Sequence, residues 1–459
     1  MKKIFLGILI LSFFVSCQKN SENNERIKDA AADSGTVETE LIYPSEDLYD
    51  AVIVGGGLTG LSAAYHLQKE LGENAKILLL EKENRLGGKV FTKKFENITY
   101  EMGAIFGDKE IQTPKEFPDM QVFLETKRYG VFVNNNLYLG STMRETLQSI
   151  NSSNSKFFED YDKNGNIDTL LSSVSEDVRK SMLSAFYVIH SGNFNEYTSE
   201  SKKAIFYTFD VEHYQSGNSV IVDNYKKYLT GKYILGAEVK SVINQDETVS
   251  VEYVKNGKTG KVNAKSVVVA TPATVSRKII KNMKPESEKF LNSIKYGKVM
   301  FVIFVVKKDN PFDFSYIVTP DKSFNTVYFT RTLDKTKQII HLVFRYDFID
   351  AHNDWRNEDY IKVGYKDLQS MKIIDLDKDL LHSDSIFWKE VDVVISNDSY
   401  GNFSSNSLSP ISGVFLAGDY TFYKDSDSSG MASRLPIGLP SAYFSGQFAA
   451  QKVLKYLKK

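Results

Sequence analysis

The chain has 459 residues, 42% hydrophobic and 25% charged; this exceeds the roughly 150 residues of one core, predicts two or three units, and excludes a disordered or low-complexity chain. With 57 basic residues against 58 acidic, the net charge is -1, so no overall field draws the protein to nucleic acid, and no such partner is expected. A single cysteine, Cys17, excludes an internal disulfide, a thiolate metal cluster and a catalytic thiol in the body of the chain.

Residues 1–17 set Lys2 and Lys3 before an apolar stretch, Ile4 to Val15, too short to span a bilayer stably. This is the pattern of an export signal. Ser16 ahead of Cys17 resembles a bacterial lipoprotein signal, although Phe14 stands where Leu is usual. The resemblance implies cleavage, acylation of Cys17 and a membrane-anchored protein on the periplasmic or cell-surface side. An export signal in which Cys17 has no special part, or an uncleaved anchor, is the alternative. Residues 18–48 carry polar and small side chains that cannot bury enough surface to order themselves, so they read as a tether.

At Tyr49 the composition changes. A buried strand (Ala51 to Val54), a glycine turn, a helix (Leu58 to Leu71) and a second strand (Lys76 to Leu80) make a βαβ unit. Gly55, Gly57 and Gly60 fit the spacing in which the first glycine makes the turn, the second admits a pyrophosphate and the third lets helix and strand pack closely. Leu58 and Thr59 open the helix, whose positive end faces the phosphates. Glu81 ends the second strand, followed by Lys82, 21 residues after Gly60, where a carboxylate accepts the ribose hydroxyls of an adenosine.

The next residues select the dinucleotide. Arg85 to Val90 read RLGGKV and Glu101 to Phe106 read EMGAIF, and here the chain resembles the flavin amine oxidase superfamily, which includes amine oxidases, protoporphyrinogen oxidase and phytoene desaturase. The resemblance places Arg85, Gly87, Gly88 and Lys89 at the pyrophosphate of FAD. Lys89 stands where the family has Arg, keeping the charge but losing bidentate geometry. It places Gly103, Ala104 and Ile105 beneath the isoalloxazine, Val239 of GAEVKSVI at the adenine, and Ala270, which ends VVVA before Thr271 and Pro272, on a returning strand. Gly418 and Asp419 of GVFLAGDY match an element whose acid meets the ribityl and pyrophosphate region. The final segment from Pro440, Ser441 and Ala442 reads as a helix of 3.6-residue period with small residues on one face, which in the family points its positive end at the flavin and favours hydride acceptance. With Cys17 outside the domain and none of the six His in the glycine turns or the Gly-Asp segment, FAD is expected to be non-covalent. No second glycine fingerprint offers a site for a pyridine nucleotide, so oxygen or a quinone is the expected acceptor.

The expected fold class is α/β: a discontinuous Rossmann-type FAD-binding domain (49–107, 231–277 and 411–459) with an α+β substrate domain built from two inserts. The first insert, 108–230, shows helical spacing; the second, 278–410, shows strand alternation suited to a sheet covered on one face. Lys298 is the candidate for a family lysine held by water to flavin N5, with Lys295 competing and a surface lysine the plainer reading. The aromatic cage of amine oxidases has no counterpart in SRLPIGLPSA. Asp160, Asp162, Asn164, Gly165 and Asp168 follow the order of a calcium loop, but Leu171 replaces its closing Glu; a polar turn between helices accounts for the segment, and no metal is expected. The expected function is an FAD-dependent oxidoreductase taking hydride from a C–H of a small-molecule substrate, an amine or an activated carbon chain. Desaturation or porphyrinogen oxidation, and a surface lipoprotein that holds FAD without turnover, are the alternatives.

Overall fold

The computed structural model describes residues 48–107, 122–124, 128–151, 155–206, 212–229, 232–308, 312, 315–421 and 438–458. Residues 1–47, with the expected export signal, Cys17 and nearly all of the expected tether, and residues 422–437 before Gly438 lie outside the described residues. The described residues all belong to one compact unit, Glu40–Lys459.

Two sheets organise this unit. The first begins with β1 (Leu48–Val54), whose residues 51–54 are buried, runs through α1 (Leu58–Leu71) and returns in β2 (Ile77–Leu80). β1 and β2 pair in parallel, Ala51 against Ile77 through Val54 against Leu80. The short strand Lys232–Ile234 continues the sheet beyond β2. On the other edge of β1 lies the end of the long strand Lys258–Val269, which also receives Val414–Leu416 in parallel. Strands from three distant stretches of chain thus make one parallel core, and its apolar runs carry little alternation because both faces are covered. The start of Lys258–Val269 joins Glu238–Gln245 and Thr248–Lys255 in an antiparallel extension.

Helix α1 packs against the closing helix Gly438–Leu457. The small residues on one face of that helix permit the approach: a Cβ on Gly446 would stand 2.2 Å from the carbonyl oxygen of Thr59. Ser62 Oγ donates to the carbonyl of Tyr443 at 2.7 Å and ties the pair together.

The second sheet runs in the order Leu380–Trp388, Val299–Lys307, Lys337–Phe344, Phe324–Arg331, Tyr316–Val318, Tyr129–Val133, Asn136–Gly140. It corrects two expectations. The first insert is not only helical, since its hairpin Tyr129–Val133/Asn136–Gly140 completes the sheet of the second insert through a parallel pairing with Tyr316–Val318. Nor is the sheet covered on one face: Val299, Phe301, Ile303 and Val305 enter one core, whereas Met300, Val302, Phe304 and Val306 enter another beneath the helix Asn357–Ser370. The continuous run VMFVIFVV, buried throughout, is the sequence form of a strand covered on both sides.

The calcium-like segment is helical. Asp160 and Asp162 lie in the helix Ser155–Asn164, Gly165 turns with φ +62°, and Asp168 stands in the first turn of the helix Ile167–Ser173. Asp162 pairs with Arg144 at 2.7 Å and Asp168 with Lys202 at 3.0 Å. Among the described residues no group of three His, Cys, Asp or Glu is spaced to hold a metal, and no helix is long and apolar enough to cross a membrane.

Candidate active site

The groove starts at the turn between β1 and α1. Gly55 has φ +106°, and a Cβ there would stand 2.6 Å from the carbonyl oxygen of Ala270, so the turn closes directly on the strand beside it. Gly57 is the N-cap of α1 and supplies no side-chain cap, leaving the first-turn N–H groups of a positive helix end for an outside acceptor. A Cβ on Gly57 would meet nothing nearer than Gly88 Cα at 3.9 Å. Gly60 differs, because a Cβ there would lie 1.9 Å from the Gly55 carbonyl oxygen. Gly57 therefore faces open space and Gly60 faces backbone.

Arg85 to Val90 fold against that turn. Gly87 N–H donates to the Gly56 carbonyl at 2.8 Å, and Gly87 and Gly88 have φ of +109° and +57°. Arg85 does not point outward. Its guanidinium donates to the Gly88 carbonyl at 2.7 Å and lies 4.1 Å over the Phe91 ring, so it braces the turn from behind. Lys89 Nζ donates to the Val391 carbonyl and lies 3.4 Å from Asp419. Glu81 is buried at the end of β2, accepting from Gly56 N–H at 2.6 Å and Glu83 N–H at 2.8 Å. Lys82 is exposed and pairs with Glu83. Ala237 N–H donates to the Glu81 carbonyl at 2.8 Å, two residues before Val239, which is buried and pairs with Tyr253.

The other side of the groove comes from three segments. Ala104 N–H donates to the Lys89 carbonyl at 2.9 Å, and a Cβ on Gly103 would overlap that carbonyl at 2.0 Å; Ile105 is buried behind them. Ala270 N–H donates to the Val54 carbonyl at 2.8 Å. Gly418 N–H donates to Ser445 Oγ at 3.1 Å, which couples the Gly418–Asp419 turn to the first turns of the closing helix, where Pro440, Ser441 and Ala442 are partly open. Gly55, Gly57, Gly88, Lys89, Ala104, Ala270, Gly418, Asp419 and Ala442 are all partly exposed.

Lys298 has a partner of its own: its ammonium bonds to Asp350, a half-exposed carboxylate on the helix Tyr346–Ala351, while its backbone N–H donates to the Ser191 carbonyl at 3.3 Å. Asp392 carries no signal of its own in the sequence. Nothing in KEVDVVIS distinguishes it from a loop carboxylate, yet it sits deep in the fold beside Lys89 and Asp419.

A glycine cradle before an uncapped helix end, a ribose-height carboxylate and an acid-bearing turn tied to a second helix suit a dinucleotide. Residues 53–109 match the NAD(P)-binding Rossmann-like domain, and residues 136–454, more than half of the chain, match the flavin containing amine oxidoreductase model. The chain belongs to the flavin-containing amine oxidoreductase family. Among relatives of this flavin amine oxidoreductase, pseudooxynicotine dehydrogenase from Pseudomonas sp is 33% identical over 93 residues, 20% of this chain and 16% of the relative. (S)-6-hydroxynicotine oxidase from Paenarthrobacter nicotinovorans is 43% identical over 87 residues, 18% of each. The sequence matches thus span under a fifth of these relatives' length. Over the whole fold it superimposes on putrescine oxidase bound to putrescine (TM-score 0.68, 13% identity, 89% of this chain and 99% of that one) and on cyclohexylamine oxidase from Brevibacterium oxydans (0.68, 13%, 90% and 100%).

Proposed function

We propose that the protein is an FAD-dependent oxidase or dehydrogenase of small amines or activated C–H compounds, with FAD held non-covalently and oxygen or a quinone as electron acceptor. The observation that carries this reading is the uncapped end of α1 at Gly57, where a Cβ would meet nothing nearer than Gly88 Cα at 3.9 Å, beside the Gly418–Asp419 turn tied to the closing helix through Ser445. In that reading the first turn of α1 and Lys89 face the pyrophosphate, Glu81 the adenosine ribose and Asp419 the ribityl region. The flavin supplies a two-electron acceptor for hydride. The protein's part is to fix the substrate C–H over the ring and to exclude water. Non-covalent binding is supported by a single cysteine at position 17, far from the glycine turns. Anaerobic mixing of the FAD-loaded protein with a panel of amines, amino acids, porphyrinogens and polyenes tests the reading. Bleaching of the visible flavin band by one class supports it; a flavin that no class reduces contradicts it.

We further propose, from residues 1–17 alone, that the protein is exported and anchored through lipid on Cys17. Labelled palmitate entering the wild-type chain but not Cys17→Ser in a bacterial host is the expected result; equal labelling refutes it.

A further inference from the structure

One carboxylate beside the groove is left over once a dinucleotide has been accounted for. Asp392 comes after the strand Leu380–Trp388 in a loop tied at several points. Its backbone carbonyl accepts from Gly297 N–H at 2.8 Å, and Val391 N–H donates to the Gly297 carbonyl at 3.0 Å. Lys89 holds the carbonyl of the preceding residue, Val391. The side chain is held as well, because Ser191 Oγ donates to Oδ2 at 2.5 Å. Oδ1 meets no hydrogen-bond donor among the described residues. The residue is surrounded deeply by protein, yet part of it stays open to solvent.

Charge and shape both bear on what reaches that free oxygen. Lys89 is already engaged by the Val391 carbonyl and by Asp419, so Asp392 adds a negative charge that the described residues do not neutralise one for one. Its charge also acts on Tyr197 and Tyr328, and Phe106, which ends the EMGAIF segment, packs edge-on against Tyr328 at 5.0 Å. A buried carboxylate with an idle oxygen suits a cation by direct pairing. An uncharged polyene would leave it unpaired, and a porphyrinogen rimmed with carboxylates would set like charges together.

We propose that Asp392 is the substrate-recognition carboxylate of the site and that its free oxygen receives the ammonium group of a cationic amine, with Ser191 as the positioning residue. This rests on the oxidase reading above and narrows its substrate class to amines. Burial pushes the carboxyl of Asp392 up to about 6, with Ser191 and Lys89 pulling it back and Asp419 adding to the rise. Tyr197 and Tyr328 are pushed well up by burial, and burial pushes His190, next to Ser191, down to about 3, so none of these changes charge near pH 6. Cation affinity therefore falls as pH falls through about 6.

The test is calorimetric titration of the FAD-loaded protein with tert-butylamine, which has no C–H beside nitrogen and cannot be oxidised there, and with uncharged tert-butanol. Wild type is expected to bind tert-butylamine roughly 10-fold more weakly at pH 5 than at pH 7. Asp392→Asn is expected to weaken binding at pH 7 by about 10- to 100-fold and to abolish the pH dependence, with tert-butanol unaffected and Asp392→Glu restoring part of the affinity. No amine binding by wild type, a flat wild-type profile, or an unchanged profile in Asp392→Asn overturns the proposal. Binding is read without turnover, so failure of the oxidase reading shows separately, as a flavin that amines bind beside but never reduce.

Discussion

The backbone N–H of Gly56 donates to Oε2 of Glu81 at 2.6 Å while Glu83 N–H occupies Oε1 at 2.8 Å. The glycine turn and the acid at the end of β2 are thus one hydrogen-bonded unit. Carboxylate oxygens have further lone pairs, so ribose hydroxyls can join without displacing either donor. Glu81→Gln replaces one acceptor by an NH2 that faces a backbone N–H. An unmade buried bond of this kind costs about 1–3 kcal/mol, and the expected outcome is a lower denaturation midpoint of the flavin-free protein together with weaker FAD binding. Denaturant titration with and without FAD measures both.

Gly57 and Gly60 should separate binding from folding. A side chain at Gly57 enters open space 3.9 Å short of Gly88 Cα, whereas at Gly60 it strikes the Gly55 carbonyl oxygen at 1.9 Å. Gly57→Leu is expected to leave the flavin-free melting temperature nearly unchanged and to abolish FAD uptake. Gly60→Ala is expected to lower stability by about 1–3 kcal/mol even without FAD, as read by circular dichroism melts of both variants.

Glu101 gives the fold a pH dependence. It is buried and accepts from Asn218 N–H at 2.6 Å and Thr92 Oγ1 at 2.9 Å, and burial pushes its carboxyl up to about 8 against those two bonds. The folded state therefore holds a proton that the unfolded chain releases near pH 4.3. Between those values the native state binds more protons, so the contribution to stability is complete below about pH 4.3, declines as pH rises, and levels off above about 8. Glu101→Gln should remove this decline; melting temperatures at pH 5, 6.5 and 8.5 for both proteins give the comparison.

Lys298 is expected to be dispensable for chemistry. Its ammonium is satisfied by Asp350, and exposed pairs of this kind contribute about 0–1 kcal/mol. Lys298→Met should change the rate of flavin reduction by less than about 2-fold, measured by anaerobic stopped flow. A loss of several hundred-fold would return that lysine to the flavin.

The nucleotide half was legible because its signals are local. Gly55, Gly57 and Gly60, the strand before them and Glu81 lie within a short stretch of chain, and each residue type answers to one backbone demand. The second sheet was harder, because the pairing of Tyr129–Val133 with Tyr316–Val318 joins residues far apart in sequence, and a continuous apolar run does not reveal what covers its second face. Lys298 and Asp392 show the same limit in side chains. A lysine on a suitable strand end is recognisable, but Asp350, the partner its ammonium takes, is brought near only by the fold. Asp392 is an ordinary loop acid until folding sets it between Ser191 and Lys89.

Bound flavin per chain tests the central claim most directly. The full-length wild-type protein, supplied with FAD, freed of excess by gel filtration and then acid-denatured, should release stoichiometric FAD into the supernatant, and Gly57→Leu treated identically should release none. A wild-type protein that stays colourless, or a Gly57→Leu protein that is as yellow as wild type, would contradict it.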